Sequence, residues 1–448
     1  MIGSFRELID WLDGRGELAR VSRAVDPVHE LTAVLRKTQQ GPNVGLLFEN
    51  VKGSRVPVAS NILTHRASIA AALGLNVEDL LAQLAARELS PLTPRQPSSA
   101  PVQEVVVPGP DLERELPQVV HSERDAGAYV SAGIFLARDP KSGVYNASWN
   151  RAQLSGGERM RVRMMPPQHL GQYQAVAEAQ GAALPAAVVI GAPPSLMLAA
   201  ASKIPIEADE LAVAGAWQGE PLRVVPAKTV PLLVPADAEV VIEGEVLPKV
   251  REVEGPFGEF MDAYVEAGPN HVFRAKAMTR RRDAIYHVIL AGGTEDLALL
   301  SLMLQIEVWR AVTPVARVRD VGCPGQILGC VVAIEKVRDE DAAAALRAAL
   351  DAHRWMKFVI VVDADVNVHD AEEVMWAIHT RFSPEHGVLR VNGTPGFPRA
   401  DVAGLHVGKL GIDATYPVAM KAKFTRRRFP GIEKIDLADY LGEKFGRY

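Results

Sequence analysis

The chain is poor in the features that would announce several common functional classes. Cysteine occurs twice in 448 residues, at Cys323 and Cys330, and that spacing is neither a zinc nor a redox motif. Both are expected to be core thiols in a reducing compartment. No apolar run of about 18 residues is free of charge, so no transmembrane helix is predicted. The opening Met1-Ile-Gly-Ser-Phe-Arg-Glu-Leu has no apolar stretch after a basic start, so no signal peptide is predicted and a cytoplasmic location is expected. Positive charge is not in excess. Lys and Arg number 49 against 54 Asp and Glu, a net charge of -5, which argues against a nucleic-acid partner. The local runs Arg280-Arg281-Arg282 and Arg426-Arg427-Arg428 fit a solvated face or an oligomer contact. No G-x-G-x-x-G follows a strand, so nothing supports nicotinamide binding. Internal repeats and low-complexity tracts are also missing.

What is present is ordinary globular composition, 48 % hydrophobic and 23 % charged, in a chain too long for one core. Helical spacing of Phe5, Leu8, Ile9 and Leu12 follows a candidate cap at Ser4, and a strand over Glu17–Val21 and a helix from Asp26-Pro27 to about Lys37 come next. Strands at 45–49 and 56–60 and helices near 67–73 and 77–87 complete a small α/β unit. Prolines 91, 94, 97, 101, 108 and 110 mark a linker or an extended wrapping segment without regular structure. From about Leu116 to Leu290 many short strands alternate with turns, with helices at 170–180 and 207–217, which predicts a barrel-like sheet. Leu297–Ala311 is one apolar helix. Strand and helix then alternate over 326–334, 339–353, 358–362 and 370–380, which predicts a second α/β unit. The expected division is 1–115, 116–296, 297–316 and 317–448.

The stretch with most chemistry in it is Glu254-Gly-Pro-Phe-Gly-Glu259. Proline and two glycines predict a tight loop rather than a helix or strand. Two carboxylates aimed by such a loop suit proton transfer, although acidic surface turns are common. Asn146-Ala-Ser-Trp-Asn-Arg151, Gln168-His169 and Glu207-Ala-Asp-Glu210 carry groups that could converge. Asn oxygen, His nitrogen and Glu oxygen suit Mn²⁺ or Mg²⁺ with a phosphate as a further ligand. Spacing alone leaves His169 as readily a structural histidine.

Taken together, these segments resemble the UbiD family of prenylated-FMN-dependent (de)carboxylases over nearly the whole chain. The resemblance rests on Phe5-Arg-Glu-Leu with Val25-Asp-Pro27, Leu46-Leu-Phe-Glu-Asn50, Arg124-Asp125-Ala-Gly127-Ala-Tyr129, the ordered series Asn146, Arg151, Gln168-His169 and Glu210, then Glu254–Glu259, Lys357–Asp363 and Leu410–Thr415. It implies a split β-barrel, flavin-reductase-like cofactor domain between an N-terminal α/β unit and a C-terminal α/β oligomerisation domain. It implies Asn146, His169 and Glu210 as ligands of a divalent metal, manganese with potassium nearby, bridging to the cofactor phosphate. Lys357 would reach that phosphate, and Ser148, Arg151, Gln168 and Ser202 would line the flavin. Arg151, Glu254 and Glu259 would be the catalytic network, with Glu259 protonating carbon after CO₂ leaves a covalent adduct of substrate and prenylated FMN. Some members carry Asp where this chain has Glu259, and the segment around Ser202 matches poorly. The implied reaction is reversible, non-oxidative decarboxylation of an aromatic, heteroaromatic or α,β-unsaturated acid. The alternatives are an inactive cofactor-binding homologue and an FMN oxidoreductase on a similar barrel. The implied partners are a flavin prenyltransferase and further copies of the chain, as homodimer or homohexamer. The apolar tail over 421–448 is expected to pack on a partner subunit or on its own domain.

Overall fold

A computed structural model describes residues 1–325, 327–397 and 404–441. The first helix, Phe5–Gly14, begins where expected, because Ser4 accepts a hydrogen bond from the Glu7 amide, and it buries Phe5, Leu8, Ile9 and Leu12. The next helix starts later than expected, at Glu30 rather than after Pro27, since His29 takes a left-handed backbone (φ 67°) that delays helical geometry. Strands Leu18–Val21, Gly45–Phe48 and Val58–Ser60 form a sheet completed by Tyr286–His287, which pairs in parallel with Val58 and Ala59. The N-terminal unit is thus closed by a strand contributed from more than two hundred residues downstream.

The proline-rich segment wraps, as expected, but it is not devoid of regular structure. Val105–Pro108 pairs antiparallel with Ala277–Arg280, because the prolines are sparse enough there to leave three valines in a row. This strand joins a nine-stranded antiparallel sheet, whose long members are Val240–Glu254 and Gly268–Arg280. Tyr129–Val130 and Ile134–Arg138 are separate strands, which pair with different neighbours. The sheet curls, and its terminal strands do not pair with each other among the described residues.

The stretch around Glu254 also departs from the expected loop. Glu254 is the last residue of a 15-residue strand, and Phe257–Glu259 is one arm of a small hairpin with Ala263–Val265. The break is confined to Gly255, at φ 89°, and Pro256. A side chain at Gly255 would be strained in that conformation.

Helix Pro194–Ala201 has no counterpart in the sequence reading. Seven of its eight residues are buried, so it shows no polar face from which a helical period could be recognised. Thr294–Val312 is one helix, and its Leu302, Leu304 and Val308 share a continuous core with Leu80 and Leu84 before it and Leu346 after it. The C-terminal five-stranded sheet is mixed, in the order 318–322, 329–334, 358–363, 407–414, 388–395. Its second strand begins at Gly329, and Gln326, the expected start, lies outside the described residues. Phe429, Ile432, Tyr440 and Leu441 of the tail are exposed on the protomer, and 442–448 lie outside the described residues.

Candidate active site

Arg151 is at the centre of the site. It follows strand Tyr145–Trp149, and its side chain is 8 % exposed. Nε donates to Glu254 Oε1 at 2.9 Å and Nη2 to Glu254 Oε2 at 3.1 Å, a bidentate pair. Nη1 donates to Glu259 Oε1, and the guanidinium lies 4.8 Å from the Phe257 ring centroid. Glu254 is fully buried, and Tyr129 Oη and Asn270 Nδ2 each donate to it at 3.0 Å. Burial and the Glu254 carboxylate push the Tyr129 phenol far up, so it keeps its proton and stays a donor.

The hairpin that carries Glu259 is pinned from outside. Asp125 accepts from the Gly258 amide at 2.9 Å and from the Ser122 amide at 2.9 Å, and the Ala126 amide donates to the Pro256 carbonyl at 3.0 Å. Glu259 is thereby aimed by backbone contacts rather than by its own burial, which is partial.

Arg151 and Glu259 face a cavity of about 260 Å³. Trp149, Met165, Phe257, Phe260, Trp355 and Phe397 make its apolar wall, and Gln168, Arg163 and Asp296 add polar groups. Ala291 precedes helix Thr294–Val312, and Asp296 and Leu300 lie on it. Arg163 was not recognised as a site residue. Arg163 has no hydrogen bond or ion pair to the described residues, and burial and the neighbouring Arg151 pull its pKa down. Asp296 Oδ2 accepts from the Gly292 amide at 2.8 Å. Burial, and then Glu259 and Glu295, push its carboxyl up to about 7.

This shift gives a pH-dependent expectation. The folded pKa of Asp296 lies above its unfolded value, so folding takes up protons between about pH 4 and 7. The cost of holding it charged is absent below that window and complete above it. Asp296→Asn, which can still accept from Gly292, should therefore raise Tm relative to the unaltered protein above pH 7, with the gain vanishing towards pH 4. A gain that is independent of pH in paired melts would contradict this.

A second cluster lies beside the first. Asn146 Nδ2 donates to Glu210 Oε1 at 2.9 Å, and His169 Nδ1 is 3.6 Å from the same oxygen. Ser148 Oγ donates to Asn146 Oδ1 at 3.0 Å and accepts from Asn150 Nδ2 at 3.0 Å. Asp209 caps the helix Glu210–Gln218 and so puts Glu210 in its first turn, with burial pushing the Glu210 carboxyl up. Glu210 Oε2 is buried with no hydrogen-bond partner. An orphaned carboxylate oxygen beside an imidazole and a carboxamide is a set that a hard cation would complete. No group of three His, Cys, Asp or Glu suited to a metal occurs among the described residues. The third member here is Asn146.

Two expected residues fall elsewhere. Ser202 Oγ donates to the Ala199 carbonyl at 2.7 Å and lines a separate small cavity with Lys203 and Glu307. Lys357 is exposed ahead of strand Phe358–Asp363 and is not in the wall of the main cavity.

Three family models match the chain in order: the N-terminal domain of 3-octaprenyl-4-hydroxybenzoate carboxy-lyase over 9–88, its Rift-related domain over 94–294 and its C-terminal domain over 296–414. The chain belongs to the UbiD family. It is 37 % identical over 427 residues to the anhydromevalonate phosphate decarboxylase of Methanothermobacter thermautotrophicus, covering 93 % of this chain and 98 % of that protein. The UbiD-class enzyme HmfF from Pelotomaculum thermopropionicum, solved with FMN, superposes with a TM-score of 0.93 at 38 % identity, covering 98 % of this chain and all of that one. An evolved dimeric form of HmfF was solved with prFMN. Apo 3,4-dihydroxybenzoic acid decarboxylase from Klebsiella pneumoniae gives a TM-score of 0.89 at 26 % identity, with 99 % and 100 % of the two chains covered. This UbiD-family chain is therefore a carboxy-lyase with the UbiD-class multidomain fold.

Proposed function

We propose that the protein catalyses reversible, non-oxidative decarboxylation of a compact aromatic, heteroaromatic or α,β-unsaturated acid, with prenylated FMN as its cofactor. The observation that carries this reading is Arg151 held between Glu254 and Glu259 in an apolar-walled cavity. On this reading the nine-stranded sheet is a split barrel of the flavin-reductase kind, and the division at 115, 296 and 316 separates the cofactor-binding unit from its flanks. Prenylated FMN supplies the electron sink that no side chain provides. Asn146, His169 and Glu210 would hold manganese at the cofactor phosphate, with potassium nearby. Ser148, Gln168 and Arg151 would face the flavin. The positions of Ser202 and Lys357 lend no support to the roles expected of them.

The chain's own groups then divide the work. Glu254 takes both Nε and Nη2 of Arg151, which fixes the guanidinium plane and turns its remaining edge toward the cavity. That edge orients the substrate carboxylate. Glu259 gives its proton to the carbon that loses CO₂. The apolar wall excludes bulk water from the developing negative charge. A cavity of this size and aromatic lining supports a single-ring acid or one of similar bulk.

The test is co-expression with a flavin prenyltransferase in manganese medium, mass and absorbance of the released flavin, and CO₂ release from furoate, cinnamate, vanillate, 3,4-dihydroxybenzoate and anhydromevalonate phosphate. A prenylated flavin with CO₂ from one of these acids is expected. Unmodified FMN with no CO₂ from any would favour the inactive-homologue or oxidoreductase reading. The metal assignment has its own check. Glu210→Ala should weaken manganese retention by at least the roughly 10–100-fold seen when even outer partners of a metal ligand are lost. Metal analysis of the purified protein showing undiminished manganese would refute it. The tail's exposed apolar residues support a homo-oligomer.

A further inference from the structure

Decarboxylation consumes a proton at each turnover. The carbon–carbon bond to the carboxylate breaks, its electron pair stays with the carbon, and a carbon–hydrogen bond forms with the proton of Glu259. Glu259 is left ionised and must take a proton from water before the next cycle. While an acid fills the main cavity, water on that side of Glu259 is displaced. The proton must then reach Glu259 from another direction.

A second cavity, of about 520 Å³, lies against Glu259. Its walls are helix Glu30–Gln39, the segment His121–Glu123 and the hairpin Phe257–Val265. Phe257, Glu259 and Ala291 are the residues common to both cavities, and of these only Glu259 can carry a proton. Exposed Arg36, Glu123 and Asp262 open this space to solvent. Its wall includes His121, 7 % exposed, whose two ring nitrogens are buried and have no hydrogen-bond partner among the described residues. Its ring packs edge-on to Phe257 at 5.8 Å, and its carbonyl accepts from Thr32 Oγ1 at 2.8 Å, so the imidazole is fixed in place. Burial pulls its pKa down to about 4 and keeps it neutral. A neutral imidazole offers one donor and one acceptor, and leaving both unfilled in a protein interior is costly unless water completes them. Asp125, beside the hairpin, is engaged with the Gly258 and Ser122 amides.

Building on the decarboxylase reading, we propose that this second cavity is the route by which water reprotonates Glu259, with His121 as the positioning residue that holds a water in it. The main cavity handles the acid and the second cavity handles the proton, and Glu259 is the wall between them.

Ala33→Trp narrows the second cavity from an exposed position on its helix, and His121→Phe removes the two nitrogens at similar volume. Both are compared with the unaltered holoenzyme, by rapid quench over the first turnover and by steady-state CO₂ release, in H₂O and in D₂O, with the acid found active in the panel. The first turnover, which does not wait on proton resupply, should keep its rate. The steady state should slow about tenfold or more and gain a larger solvent isotope effect, because acid–base steps of this kind carry factors of about 10²–10⁴. Unchanged steady-state rates in both variants would overturn the proposal. So would equal slowing of the first and later turnovers, which would place the effect in the chemistry rather than in proton supply. If the unaltered holoenzyme releases no CO₂ from any acid, the decarboxylase reading falls and takes this one with it, whereas the rate comparisons refute this one alone.

Discussion

Glu259→Gln is expected to abolish turnover while leaving the prenylated flavin bound. Glutamine keeps the length of the side chain and an oxygen that can accept from Arg151 Nη1, so the contact holding the hairpin arm survives. The hairpin itself is anchored by Asp125 and the Ala126 amide, neither of which the substitution touches. What is lost is an acid. A positioned general acid contributes about 10²–10⁴ in rate, and a loss of that order or beyond is expected. The checks are CO₂ release under saturating acid, and absorbance and released-flavin mass for cofactor content. Undiminished CO₂ release would mean that the proton comes from elsewhere. Asp296, the other carboxyl in the same wall, would then be the next to replace. Loss of cofactor together with activity would mean that Glu259 supports the flavin site rather than the proton.

How much of this could be read from the sequence depends on which interactions are local. The triad of Arg151, Glu254 and Glu259 was legible because its members sit in short, distinctive stretches. Tyr129 and Asn270, which complete the shell around Glu254, were not. Asn270 is near only because Glu254 pairs with Gly268 across a sheet with two register shifts, and a bulge is invisible to hydrophobic alternation. The glycines and Pro256 were over-weighted, since they break the chain at two residues and leave strand on either side. Helix Pro194–Ala201 was missed because burial on all sides erases the helical period. Arg163 was hidden in a strand-like stretch whose arginines alternate, with Arg159 and Arg161 paired to Glu252 and Arg163 without a hydrogen bond or ion pair among the described residues. No single-residue signal separates the unpaired member from the other two. The pairing of Tyr286–His287 with the N-terminal sheet was not legible, because a two-residue strand carries almost no pattern.

Arg151→Met should destabilise the fold as well as stop the reaction, and the two losses can be separated. Methionine replaces the stem of the side chain but leaves Glu254 fully buried with, among the described residues, only Tyr129 and Asn270 to hydrogen-bond it. Removing one partner of a buried ion pair costs about 3–5 kcal/mol, because the remaining charge has lost its compensation. Glu254→Gln in the same background removes that stranded charge. The double variant should therefore recover stability relative to Arg151→Met alone, with an interaction energy of roughly 0.5–3 kcal/mol in a double-mutant cycle. Activity should not recover with it, since both variants lack Arg151, the guanidinium that contacts Glu259. Urea unfolding of the four proteins measures the first quantity and CO₂ release the second. Additive destabilisation would mean that Glu254 is compensated by its neutral donors and that Arg151 serves the reaction alone. Recovery of activity in the double variant would mean that Arg151 exists to neutralise Glu254, and the role of orienting the acid would pass to Arg163, the guanidinium in the same wall with no hydrogen bond or ion pair among the described residues.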